Sequence, residues 1–173
     1  MITKSVSSGL LALVFLIGSC KSVDFTPTQT VAITVLKDHV QSWLERPAGS
    51  TDEYQTLFID IPLTSESLEL AALSRNGVRV AVGTNHLVNG PEGAVFDSRT
   101  MQRAVVFAAK IEYIDAQSAT VRSWAYTGRL GAEFMKYRLV YKGGRWTIIL
   151  KESDGYAQSI IDRQLAVFAP TGT

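Results

Sequence analysis

A single cysteine, two histidines and five prolines are spread over 173 residues. One cysteine excludes an internal disulfide, so the fold has to hold by packing. The two histidines, His39 and His86, stand at no ligand spacing and there is no CxxC, so neither a metal nor another cofactor is expected. Absent too are G-x-S-x-G, a phosphate-binding loop and a dinucleotide fingerprint, which removes the usual signatures of nucleophilic hydrolysis and nucleotide chemistry. Charge of one sign is also lacking. Seventeen basic residues face sixteen acidic ones, and because Lys4 is the only charged residue before Cys20, the rest of the chain is formally neutral. That balance argues against nucleic acid as a partner, whose binding needs an excess of Lys and Arg over phosphate. No apolar run reaches the ~20 residues that cross a bilayer as a helix.

What is present is a hydrophobic content of 46%, the profile of one compact domain. A domain of this size buries roughly 68 to 70% of the surface its unfolded chain exposes, enough for a core without staples.

The amino terminus carries the most specific pattern. Residues 1–4 form a short basic stretch, 10–17 are unbroken apolar, and Gly18 and Ser19 precede the lone Cys20. Ile17-Gly18-Ser19-Cys20 resembles the lipobox of bacterial lipoproteins. The resemblance implies a signal peptide over 1–19 that is cleaved, with diacylglycerol on the Cys20 thiol and acyl chains such as palmitate in the membrane. Ordinary cleavage nearby, a core cysteine or a free thiol are the competing readings of Cys20. A lone cysteine at the end of an apolar run, outside any plausible core, favours lipid attachment. Two or three acyl chains, at about 0.8 kcal/mol per buried methylene, make release very slow. By the same resemblance, Lys21 after the cysteine sorts the protein to the outer membrane, facing the periplasm, in a host with two membranes. Residues 20–26 are then a tether, of which 21–26 reach roughly 20 Å when fully extended, and 27–173 are a single domain.

That domain opens with a helix. Thr26 is a suitable N-cap, Pro27 suits the first helical position, and Ile33, Leu36, Val40, Trp43 and Leu44 recur at steps of three and four until Pro47. Leu57, Ile59 and Ile61 alternate as a strand over 54–61, Thr64 or Ser65 caps a short helix through Leu73, and 78–82 read as a further strand. Residues 84–99, with two asparagines, two glycines and Pro91, read as the longest loop.

From Gln102 onward the pattern is an antiparallel meander. Val105, Phe107, Ala109, Ile111 and Tyr113 take every second position, residues 115–118 turn the chain into a strand over 119–127, and Gly143-Gly144 supply the positive φ angles of a two-residue hairpin. Pairing Lys142 with Arg145 places Tyr141 opposite Trp146, Leu139 opposite Ile148 and Tyr137 opposite Leu150. Ala157, Ile160, Ile161, Leu165 and Phe168 repeat as a C-terminal amphipathic helix.

The fold class expected is α+β, an N-terminal amphipathic helix packed on a curved antiparallel meander. With the pattern Tyr137-Arg138-Leu139-Val140-Tyr141 then Gly144-Arg145-Trp146-Thr147-Ile148, it resembles the cystatin-like or nuclear transport factor-like cone over residues 26–152. In that superfamily the sheet wraps helices and often leaves a pocket, used by isomerases, hydrolases and binding modules alike, so the fold does not choose a function. No catalytic motif of an enzymatic member is present, and a final helix departs from the simple cone.

Two constellations carry chemistry. Asp60, inside an apolar strand run, and His39, beside the apolar helix stripe, are the candidate acid-base pair, with a core tyrosine as a further candidate. A strand-end carboxylate bonding the backbone is the plainer reading of Asp60. The hairpin register puts Lys136, Arg138, Lys142, Arg145 and Lys151 on one face, an electropositive surface for an anionic partner: headgroups, an envelope polymer or an acidic protein. A solvated face that blocks edge pairing is its plainer reading. The expectation is a membrane-anchored envelope module that binds a protein or polymer without catalysis; the alternative is a small-molecule pocket or a metal-independent acid-base enzyme.

Overall fold

The computed structural model describes residues 27–47, 54–65, 67–75, 77–128 and 131–155. The signal peptide, Cys20, the tether and the C-terminal helix expected over 157–168 lie outside the described residues. Within them the chain is α+β, with few helices and a mixed, mostly antiparallel sheet.

Helix α1 (Pro27–Leu44) starts on the proline expected there and ends before Pro47. Its buried side is Val31, Val35, Leu36, His39, Val40 and Trp43. Ile33 and Leu44, expected in the stripe, are only half-buried and flank it, because the helix packs on two adjoining clusters rather than along one seam.

Strand β1 (Thr56–Ile59) is buried at all four positions. The alternation read from Leu57 and Ile59 misses this, because β1 lies inside the sheet, parallel to both β2 (Arg79–Val82) and β5 (Gln102–Ile114), and is covered on both faces. A strand in that position reads as a short continuous apolar run. Between β1 and β2 the chain passes through α2 (Leu68–Ala71). Thr64 and Ser67 exchange side-chain bonds to each other's backbone N–H before it, and Gly77 at φ 79° turns the chain into β2.

The expected long loop is structured. It folds into β3 (Leu87–Asn89), a 3₁₀ turn at Pro91–Gly93, and β4 (Val95–Asp97), a hairpin that also pairs with the start of β5. Three-residue strands leave almost no periodicity to read. The hairpin covers the sheet face opposite α1, where Val95 and Leu87 join Phe58, Val106, Tyr126 and Phe134, and Tyr126 Oη donates to Gly93 O at 2.8 Å.

The meander continues through β6 (Ser118–Gly128), β7 (Gly131–Lys142) and β8 (Arg145–Ser153), giving the order β2-β1-β5-β6-β7-β8. Gly143 and Gly144, at φ 61° and 79°, make the expected hairpin turn. Lys142 pairs with Arg145, Tyr141 with Trp146 and Leu139 with Ile148, as the turn dictates. Below Leu139 the register slips by one, so Tyr137 pairs with Lys151 rather than Leu150. A second irregularity, between Ile111 and Tyr113, sends Tyr113 to the outer side, where it is 54% exposed, instead of continuing the inward row. Such bulges bend and twist a sheet locally. The first hairpin, whose register the sequence leaves open, closes on Asp115, whose Oδ1 accepts from the N–H groups of Gln117 and Ser118 at 2.7 Å.

Candidate functional site

His39 is 1% exposed, on the sheet-facing side of α1. The Ser123 hydroxyl donates to Ala108 O at 3.0 Å, so the 2.8 Å contact with His39 must run from Nδ1–H to Ser123 Oγ. That fixes a neutral tautomer with a bare Nε2, which has no hydrogen-bond partner among the described residues. Phe107 meets the ring edge-on at 5.1 Å between centroids. Burial lowers the imidazole pKa to about 4; Glu133 and Asp38 oppose this, while Lys151 and Arg46 add to it. His39 is therefore uncharged and sealed at neutral pH.

Charged groups ring this core at its rim. Arg46 pairs with Glu133 and lies 3.9 Å over the Trp43 ring. Asp38 accepts from Lys151 at 2.7 Å and from the Tyr137 hydroxyl at 3.2 Å. Burial, then the charge of Asp38, raises the Tyr137 pKa, so this core tyrosine stays protonated.

Asp60 stands one residue past β1, its N–H donating to Phe107 O at 2.8 Å, and burial raises its carboxyl above the usual range. No hydrogen bond joins Asp60 and His39 among the described residues, and a groove of about 370 Å³ beside Ile61 and Pro62, which follow Asp60, is lined chiefly by Ala32, Ile33, Ile61, Pro62, Ala109 and Ile111 and by neither acid-base candidate. It exists because alanines on α1 and β5 face each other where larger side chains would fill the space. Trp43, Tyr137 and Trp146 close the rest of the layer, while Tyr141 is 46% exposed at its edge.

The five cations divide. Lys136, Arg138, Lys142 and Arg145 project away from α1, because Tyr137, Leu139 and Trp146 between them pack towards it. Lys151 does not join them. The slip in β8 turns it to the α1 side, onto Asp38, Ser42 and the Tyr137 ring. On the outer face Lys136 stands opposite Glu152 in the strand register, and the neighbouring Arg122 bridges Glu112 at 3.4 Å and Asp154 at 2.8 Å, so that half is mixed in sign. Arg138, Lys142 and Arg145 make no ion pair among the described residues, and all three are exposed.

Sequence reasoning missed a cluster in the supposed loop. Asp97, fully buried, accepts from Thr56 Oγ1 at 3.0 Å, from Arg99 N–H at 3.1 Å and from the Arg79 guanidinium. Burial alone would raise its carboxyl; the bonds from Arg99 and Thr56 and the charge of Arg79 outweigh that and lower it. The cluster ties β1, β2 and β4 together. The signal available was an aspartate ending a Val-Phe-Asp run with Arg99 two residues on, a pattern too common to single out.

No protein-family model, no curated protein and no solved structure matches this chain.

Proposed function

We propose that the chain is an exported bacterial lipoprotein, held in the membrane by lipid on Cys20, whose domain is a non-catalytic module that binds an envelope protein or polymer. The observation that carries the anchor is the order Lys4, apolar 10–17, Gly18-Ser19, then the only cysteine. No described helix is long and apolar enough to cross a membrane. In a host with two membranes, Lys21 favours the outer membrane, facing the periplasm. Support for a non-catalytic role comes from the chemistry of the candidates: His39 is sealed, Tyr137 is held protonated, and Asp60 lies outside the groove. The cystatin-like or nuclear transport factor-like cone is the architecture we propose, supported by a helix packed on a bulged meander; the parallel β1 and β2 are a departure from it.

The test is expression of the full chain in a bacterium fed a clickable palmitate analogue, with an intact mass of the membrane-extracted product. Lipid on the wild-type chain, lost in Cys20→Ala together with membrane attachment, is the expected outcome. Label retained in Cys20→Ala would sink the anchor reading. A second reading, a small apolar ligand, is favoured by the 370 Å³ groove, which lies in the size range of ligand sites. Ala109→Trp, which fills it, should then abolish binding of a fluorescent fatty-acid probe.

A further inference from the structure

The direction of α1 against the meander decides which end of the domain lies nearest the anchor. Arg46, just past the end of α1, pairs with Glu133 near the start of β7, and Asp38 meets Tyr137 four strand residues on. At 1.5 Å per helical residue and about 3.3 Å per strand residue, eight residues of helix match four of strand, so the two run antiparallel and in step. Continued to Pro27, the same arithmetic reaches Lys142. Val31 packing in one cluster with Ala119, Leu139 and Trp146 agrees. The tether therefore enters at the end that carries the β5–β6 turn, 115–117, and the β7–β8 turn, 143–144, which touch through Tyr141 N–H donating to Gln117 O at 2.8 Å.

The side chains at that end are unusual for a solvated turn. Lys142 and Arg145 stand directly opposite each other in the last pair of the hairpin, where like charges are destabilising, and neither has an acidic partner among the described residues. On the α1 side of the same turn Tyr141 is 46% exposed and meets the Trp146 ring at 5.3 Å between centroids, tilted by 55°, and at the same end of β5, two strands from β7, Tyr113 is 54% exposed. Amphipathic aromatics next to cations match the headgroup layer of a bilayer. The acid at this end, Asp115, is taken up by the Tyr113 and Ser118 hydroxyls and two backbone N–H groups. Local pairing rules are broken here with no compensating ion pair among the described residues, which points outward for the reason.

We infer that this end is the membrane-facing end of the domain, with Tyr141, Lys142 and Arg145 seated on anionic lipid headgroups beside the anchor. The inference rests on the lipid at Cys20. The ~20 Å tether brings the turns to the surface, and the two cations hold them there in one orientation. That leaves the opposite end, with the turn 98–101, turned away from the bilayer; β5 alone, 13 residues long, separates the two ends by about 40 Å.

The test uses the full chain, processed in a bacterial host and reconstituted into nanodiscs of phosphatidylethanolamine with phosphatidylglycerol. Lipid consumes the Cys20 thiol, so a fluorophore on Ala116→Cys or Thr100→Cys reports one exposed position at each end. Brominated lipid is expected to quench the Ala116 probe and to spare the Thr100 probe. Lys142→Glu with Arg145→Glu keeps a like-charge pair in the hairpin, so its folding is matched, and should weaken docking at least roughly 30-fold. An intact mass without lipid on Cys20 overturns the anchor and this inference together. A lipidated protein whose Ala116 probe is no more quenched than the Thr100 probe overturns the inference and leaves the anchor standing. Quenching unchanged by charge reversal overturns the headgroup assignment, since the tether alone would then account for it.

Discussion

Strands β5 to β8 run for 13, 11, 12 and 9 residues and pair in sequence order through tight turns, whereas β1 to β4 run for four, four, three and three residues. The meander closes small loops, each repaid at once by a long ladder. Of the shorter strands, β1 closes a large loop for few ladder bonds, pairing in parallel with β5 from more than forty residues away, while β3 and β4 close short loops but pair over only two or three residues. Their support has to come from elsewhere, from the burial of β1 on both faces and from the Asp97 cluster that ties β1, β2 and β4. One sheet thus contains a self-sufficient part and a dependent part, joined along β5.

Phe107 sits on that seam, fully buried and in edge contact with both His39 and Trp43. Phe107→Ala is expected to destabilise the whole domain by about 3 to 5 kcal/mol in a denaturant titration. A biphasic transition there would mean that the two parts unfold separately.

His39 gives a pH-dependent handle on the same seam. Its folded pKa, about 4, lies below the ordinary 6.5, so between those values the unfolded chain binds more protons. Stability is present in full above pH 6.5 and falls as the pH drops towards 4, by on the order of 3 kcal/mol. His39→Gln, which keeps a donor for Ser123, should flatten that slope in thermal melts taken across the range; a slope left intact would assign it to other groups.

Asp97→Ala probes the dependent part alone. It leaves Thr56, Arg79 and Arg99 without their partner, and because both arginines are partly solvated the expected loss is about 2 to 3 kcal/mol. Hydrogen exchange should rise across β1 to β4 while β6 to β8 stay protected. Equal loss of protection in both parts would erase the distinction between them. The smallest effect is at Asp60, whose carboxyl burial holds above its usual pKa. Asp60→Asn relieves that desolvated charge and should stabilise the domain at neutral pH by less than about 1 kcal/mol after solvent screening, measured by chemical denaturation.

The legible portions of the fold follow this division. α1, the strands from Gln102 onward and the Gly143-Gly144 turn were readable because their information is local: a helical repeat, a two-residue alternation, a pair of glycines. β3 and β4 were not, since three residues carry no period, and β1 read as an alternating strand because the continuous apolar run Leu57-Phe58-Ile59 is too short to stand out from the alternation of Leu57, Ile59 and Ile61. Among the site residues, His39 was visible as a histidine beside an apolar stripe, but Ser123, 84 residues away, was not, and it is Ser123 that sets the tautomer. Lys151 was assigned to the outer face because alternation assumes an unbroken ladder. A single extra residue in β8 carries it to Asp38.

What the sequence determined by itself is therefore what nearest neighbours along the chain can specify: the order Lys4, apolar run, Cys20, the amphipathic helix and the long hairpins. The tertiary structure alone decided which groups meet across the sheet beyond the Gly143-Gly144 hairpin, and at which end of the meander α1 begins. Those depend on the sense in which α1 runs over the meander and on two one-residue slips, and burial against distant partners, not local periodicity, selects both.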